Sequence, residues 1–150
     1  MNETFYLVDN NVLVEIKGAR IESEFFRDQC RVTEDVLWEA RERAEYAALE
    51  ETARPRNAHF LDQVQRVMHA VEASDTRLVD LYRNKGAADP GLIASVLEAQ
   101  AAQEGTFFGD EWVIVSNDQA VIECAAEFEI RTMSGLQLAE EIDLSTGIAD

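Results

Sequence analysis

The chain has 150 residues, of which 47% are hydrophobic, and its 30 acidic and 13 basic residues give a formal net charge of −17. This length and composition suit a single domain, residues 1–150, and exclude a disordered chain. The charge disfavours non-specific binding to nucleic acid and predicts either a solvated acidic surface or a cationic partner, such as a metal ion or a basic protein. No stretch approaches the roughly 20 apolar residues of a membrane helix, and no positively charged leader is evident, so we expect no membrane role. Cys30 and Cys124 are too far apart to indicate a disulfide framework or a zinc site, so we expect two buried thiols in a reduced, cytoplasmic protein.

Strand and helix patterns alternate along the chain. Short apolar runs predict strands at 5–8, 30–33, 112–115 and 130–133. Helical spacing and composition predict helices at 11–28, 34–53, 60–82 (one long helix or a bent pair), 87–103, 119–128 and 136–142. The alternation predicts an α/β fold with three layers, in which a mainly parallel central sheet is flanked by helices.

Two predicted strands are followed directly by acidic residues. Asp9 ends the run Phe-Tyr-Leu-Val, and Asp118 follows Trp-Val-Ile-Val by way of Ser116. The carboxyl ends of parallel strands share one edge of a sheet, where ligands bind. Asn11 is predicted either to orient the Asp9 carboxylate or to cap the next helix, and Ser116 is predicted to be either a carboxylate-orienting group or a turn residue.

Two further acids lie in predicted helices. Asp89 precedes Pro90 at a helix start, where it is either a cap or a site residue. Glu39 lies early in the helix after the second strand, where it is either a solvent-facing glutamate or a site residue. Several carboxylates in one cleft repel each other and favour a hard divalent cation, so the sequence predicts a magnesium site.

In this order, the four segments resemble the motifs of the PIN-domain nucleases over essentially the whole chain. Glu34 or Asp35 could take the place of Glu39 in the loosest of these motifs. The resemblance implies a Mg²⁺- or Mn²⁺-dependent endoribonuclease in which a metal-activated water hydrolyses RNA. It implies that the metal is bound by Asp9, Asp89 and Asp118 and that Glu39 assists. It also implies that Asn11 and Ser116 orient these carboxylates.

Basic residues near the predicted site are candidates for RNA contact, namely Arg54, Arg56, Arg83 and Lys85, with isolated solvated charges as the alternative. Small bacterial proteins of this family resemble the toxins of toxin–antitoxin pairs. The resemblance therefore also implies a possible antitoxin protein partner and a possible homodimer.

Three other functions compete with a nuclease. A degenerate PIN domain would serve as a binding or interaction module without catalysis. A haloacid-dehalogenase-like phosphatase needs a second aspartate where Asn11 stands, together with a late lysine and an acidic pair that the chain lacks. A response-regulator receiver needs an acidic pair near its start and a late strand-ending lysine, which are also missing.

Overall fold

A parallel sheet forms the centre of the computed structural model, which describes residues 3–54, 58–74, 88–102 and 109–146, apart from the side chains of 70–74 and 88–90. Its strands are β1 (Thr4–Val8), β2 (Cys30–Thr33), β3 (Ala53–Arg54), β4 (Glu111–Val115) and β5 (Arg131–Met133). They lie in the order β3-β2-β1-β4-β5, and each neighbouring pair is parallel.

Helices cover both faces of this sheet. They are α1 (Asn10–Ile21), α2 (Glu24–Gln29), α3 (Glu34–Glu39), α4 (Tyr46–Glu51), α5 (Ala58–Ser74), α6 (Ala88–Ala102), α7 (Gln119–Glu127) and α8 (Gly135–Thr146). Helices α1, α2 and α8 pack together on one side, whereas α6 packs against α5, α7 and β4 on the other. This confirms the predicted three-layer α/β fold.

The core lies on both faces of β1 and β4, the two central strands. Leu7, Val8, Val113, Ile114 and Val115 are fully buried, which explains why their segments are continuously apolar. Cys30 and Cys124 are buried free thiols, and burial raises the pKa of the Cys30 thiol. Within the described ranges, no helix is both long enough and apolar enough to cross a membrane.

Two predicted helices are divided in the structure. The segment predicted at 11–28 forms α1 and α2, because the Ser23 hydroxyl accepts a hydrogen bond from Phe26 N at 3.2 Å and starts a new helix. The segment predicted at 34–53 forms α3, α4 and the short strand β3, since Val32 N donates to Thr52 O across the sheet. Helix propensity is a small energetic preference for any residue, and tertiary contacts override it at these positions.

Candidate active site

The β1–β4 pairing places two polar junctions side by side. Val8 is in register with Val115, and Asp9 N continues the ladder by donating to Val115 O at 3.0 Å. Asp9 and Ser116 are consequently neighbours at the carboxyl edge of the sheet. Each strand then turns into a helix, α1 after Asp9 and α7 after Asp118.

Three donors hold the Asp9 carboxylate. Its Oδ1 accepts from Asn10 N at 2.7 Å, and its Oδ2 accepts from Ser116 Oγ at 2.9 Å and from Asn11 Nδ2 at 3.2 Å. Asp9 also caps α1, one of the two roles predicted for Asn11, so the same carboxylate is both helix cap and candidate site residue. Only 3% of Asp9 is exposed, which makes its orientation well defined.

Asp118 lies on the neighbouring turn and is tied to the same network. Its backbone N donates to Ser116 Oγ at 3.1 Å, so that this one hydroxyl bridges Asp9 and the Asp118 backbone. The Asp118 carboxylate accepts from Ala120 N at 3.0 Å and caps α7. Asp118 is partly exposed, and its carboxylate is therefore the more accessible of the two.

The loop residue Asn117 links this turn to two helices. Its backbone N donates to Asn11 Oδ1 at 3.3 Å, and its side chain bridges Glu15 Oε1 on α1 and Gly135 N at the start of α8. A Cβ at Gly135 would collide with the Glu15 side chain and lie 3.2 Å from Val12 Cγ1, so α8 approaches α1 closely because residue 135 is glycine. The two strand-ending turns are thus braced against each other.

Glu39 reaches the junction from β2, on the other side of β1. Thr33 Oγ1 caps α3 by accepting from Val36 N at 3.1 Å, and this fixes the helix directly after β2. At the end of α3, Glu39 Oε2 accepts from Asn10 Nδ2 at 3.3 Å. Glu39 is therefore the acid of α3 for which a contact with the Asp9 loop is found.

Asp35, an alternative to Glu39, lies towards the first turn of α6. A Cβ at Gly91 would be 3.5 Å from Asp35 Oδ2, so the two helices meet there. Asp89 occupies the first turn of α6, as predicted for a residue at a helix start, and its side chain lies outside the described part of the molecule. Glu34 is exposed in the first turn of α3.

The charges at the junction act on one another. Burial raises the pKa of Asp9, and the negative charges of Asp118 and Glu39 raise it further, while the hydrogen bonds from Ser116 and Asn10 oppose the change. No arginine or lysine of the described residues forms an ion pair with Asp9 or Asp118. The junction thus concentrates negative charge that a cation would relieve.

The oxygens at this junction suit a hard dication in chemistry and charge. Among the described residues, which do not include the Asp89 side chain, no three acidic, histidine or cysteine side chains form a group that could hold a metal ion. Mg²⁺ usually keeps several waters and takes only one or two carboxylates from the protein. Asp9 and Asp118 fit that requirement.

Of the predicted RNA contacts, only Arg54 belongs to the described residues. Its guanidinium binds Glu98 Oε2 at 2.6 Å and lies 4.9 Å from the centre of the Trp112 ring. Arg54 is therefore engaged in packing strand β3 against α6. Arg56, Arg83 and Lys85 lie outside the described residues.

Sequence reasoning did not assign roles to Asn10 and Asn117. Asn10 joins Asp9 to Glu39, and Asn117 joins Asn11 to α8. Only their position in the sequence could have indicated these roles, because each asparagine belongs to a polar run that directly follows a buried strand. Such residues are also common in ordinary turns, which is why the signal was weak.

No protein-family model matches this chain, and no curated protein matches it significantly.

Proposed function

We propose that this chain is a Mg²⁺- or Mn²⁺-dependent endoribonuclease. The observation that supports the proposal is that the buried Asp9 carboxylate, on the β1–α1 turn, lies beside Asp118, on the β4–α7 turn, and Glu39, at the end of α3. The charges of Asp118 and Glu39 add to burial in raising the pKa of Asp9. No basic side chain of the described residues pairs with Asp9, so holding these like charges together costs free energy. Groups with such perturbed pKa values are found mainly at functional sites. Placement at the carboxyl edge of a parallel sheet agrees with this.

Asp9 and Asp118, joined by Asp89 from the first turn of α6, would hold the metal ion. When bound, such an ion lowers the pKa of a coordinated water and offsets the negative charge that develops on the phosphate oxygens. Ser116 and Asn11 keep Asp9 Oδ2 in a fixed direction, and hydrogen bonds of this kind support metal ligands.

Glu39, which is exposed and hydrogen-bonded to Asn10, would accept a proton from the attacking water. The water oxygen forms the new bond to phosphorus, and the bond from phosphorus to the 3′ oxygen breaks. The leaving oxygen takes up a proton from solvent. One product therefore ends in a 3′ hydroxyl and the other begins with a 5′ phosphate.

Cleavage of a labelled single-stranded RNA in Mn²⁺, with EDTA as the blank, tests the proposal. We expect Asp9→Asn and Asp118→Asn to reduce cleavage to the level of the blank, whereas Asp28→Asn, which changes an exposed acid of α2, retains wild-type cleavage. Wild-type protein that cuts no RNA in either metal, or an Asp9→Asn variant that cuts normally, would refute the nuclease.

The same preparation separates the alternatives. Metal-dependent hydrolysis of p-nitrophenyl phosphate without RNA cleavage would favour the phosphatase, and intact folding without either activity would favour a binding module. A toxin role, an antitoxin partner, a homodimer and a cytoplasmic location stay predictions of the sequence analysis.

A further inference from the structure

An exposed tryptophan lies next to the candidate site. Trp38 is 66% exposed, although it belongs to α3 and immediately precedes Glu39. Its chain neighbour Glu39 contacts Asn10, whose backbone binds Asp9. The Trp38 indole is thus on the surface, one residue along α3 from Glu39, in contrast to Trp112, which is 5% exposed and part of the core.

Arg41 is stacked on this indole. Its guanidinium carbon lies 4.0 Å from the centre of the Trp38 ring, and its Nη1 donates to Trp38 O at 2.8 Å. These two contacts hold the guanidinium in place before any ligand arrives. Because Trp38 nevertheless stays largely exposed, most of the indole surface that Arg41 does not cover faces solvent.

The charge of Arg41 is also available. Among the described residues it forms no ion pair, whereas Arg43 pairs with Glu45 and Arg54 pairs with Glu98. In a chain of net charge −17, Arg41 thus offers a positive charge that no acidic side chain of the described residues neutralises, two residues along the chain from Glu39. A phosphate approaching that cluster would be repelled by it and attracted by Arg41.

We propose that Trp38 and Arg41 form a platform that binds one unpaired base of single-stranded RNA and its adjacent phosphate. The inference rests on the proposed nuclease function and names the structural class of its substrate. Indole faces bind bases of any identity by stacking, and stacking requires a base that is not paired within a duplex. The guanidinium contributes a phosphate contact and a cation–π contact. The platform therefore selects for single strands without reading their sequence.

Fluorescence titration with a single-stranded RNA oligonucleotide tests the platform. The Asp118→Asn protein with Mn²⁺ serves as the background, because it is expected to bind RNA without cutting it. A base stacked on Trp38 should quench tryptophan emission, and Trp38→Phe should remove the quenching, since Trp112 is buried. Trp38→Ala should weaken binding about tenfold, the effect of losing one stacked base, while Trp38→Phe should retain most of the affinity. A duplex of the same sequence should not compete for Trp38.

Arg41→Ala should weaken binding and reduce the dependence of log K on log salt concentration by about 0.7, the effect of one phosphate contact to a single strand. Arg27→Ala is the matched control, because Arg27 is an exposed arginine of α2, already paired with Glu24 and Asp28. Circular dichroism would confirm that each variant is folded.

The outcomes distinguish this proposal from the nuclease. If the wild-type chain cleaves RNA only with metal, but substitution of Trp38 or Arg41 changes neither the RNA affinity nor the quenching, the platform is overturned and the nuclease proposal stands. Trp38-dependent binding without cleavage by the wild-type chain would support the platform and overturn the nuclease. If Trp38→Ala binds RNA as tightly as the background protein but no longer self-associates in sedimentation, Trp38 belongs to a contact between protein chains and the platform is overturned.

Discussion

Replacing Asp9 with asparagine tests the electrostatics of the junction through the pH dependence of stability. Burial and the charges of Asp118 and Glu39 raise the pKa of Asp9 above its ordinary value of 3.8. Between the ordinary and the raised value, the unfolded chain has lost this proton and the folded protein still holds it. The wild-type protein therefore loses stability as pH rises through that interval, whereas the Asp9→Asn variant has no such proton.

The size of the effect follows from proton linkage. The free energy of unfolding changes by at most about 1.4 kcal/mol for each pH unit crossed in the interval. At about 2–4 °C per kcal/mol for a domain of this length, the melting temperature of Asp9→Asn should gain about 3–6 °C on the wild type per pH unit. A constant offset of about 1–3 kcal/mol accompanies this trend, because asparagine replaces one acceptor oxygen by a donor.

Thermal unfolding in EDTA, from the ordinary pKa of 3.8 up to about pH 8, measures the trend. Asp143→Asn is the matched control, because the hydrogen bonds from Arg20 lower the pKa of Asp143. The ionised Asp143 carboxylate therefore contributes its full stabilisation at every pH above its ordinary pKa of 3.8. That variant should differ from the wild type by a constant amount over the range. A constant difference for Asp9→Asn, or one that shrinks as pH rises, would refute the electrostatic reasoning.

Three other substitutions probe the bracing of the site. Ser116→Ala removes a hydrogen bond that lowers the pKa of Asp9, so calorimetry should show Mn²⁺ affinity reduced about 10- to 100-fold, and unchanged affinity would contradict the role of Ser116. Gly135→Ala displaces the Glu15 carboxylate, which accepts a hydrogen bond from Asn117, and presses on Val12 Cγ1, so it should cost about 1–3 kcal/mol in urea unfolding. An unchanged midpoint would show that these side chains move aside easily. Arg54→Ala breaks the partly buried ion pair with Glu98 and should lower the free energy of unfolding by about 1.5–3 kcal/mol. The KM for RNA should not rise, and a raised KM would indicate that Arg54 contacts RNA.

The sheet was predictable where burial leaves a continuous apolar signal. Strands β1 and β4 are covered on both faces, and their apolar runs gave both positions to within one residue. Strand β3 was missed, because Ala53 and Arg54 form only two residues of ladder and follow a segment with helix-forming composition. Its pairing depends on contacts with β2 that no local pattern contains.

The acids of the junction were predictable from topology, but their network was not. An acid after each of two adjacent parallel strands must lie at one edge, which brings Asp9 and Asp118 together. The choice between Glu39 and Asp35 depends on the direction in which each side chain leaves the short helix α3. Bridging by Asn10 and Ser116 depends on rotamers that packing selects.

The register that unites Asp9 with Ser116 also has a consequence for synthesis on the ribosome. These two residues are 107 positions apart, so the hydrogen bond between them closes most of the chain into one long loop. Contacts of such separation form late, after the entropy of closing the loop has been overcome. A growing polypeptide that has not yet extended past β4 and its turn contains Asp9 without Ser116 and Asp118, and it cannot assemble the acidic junction. Any chemistry performed there is therefore withheld until most of the molecule has been made.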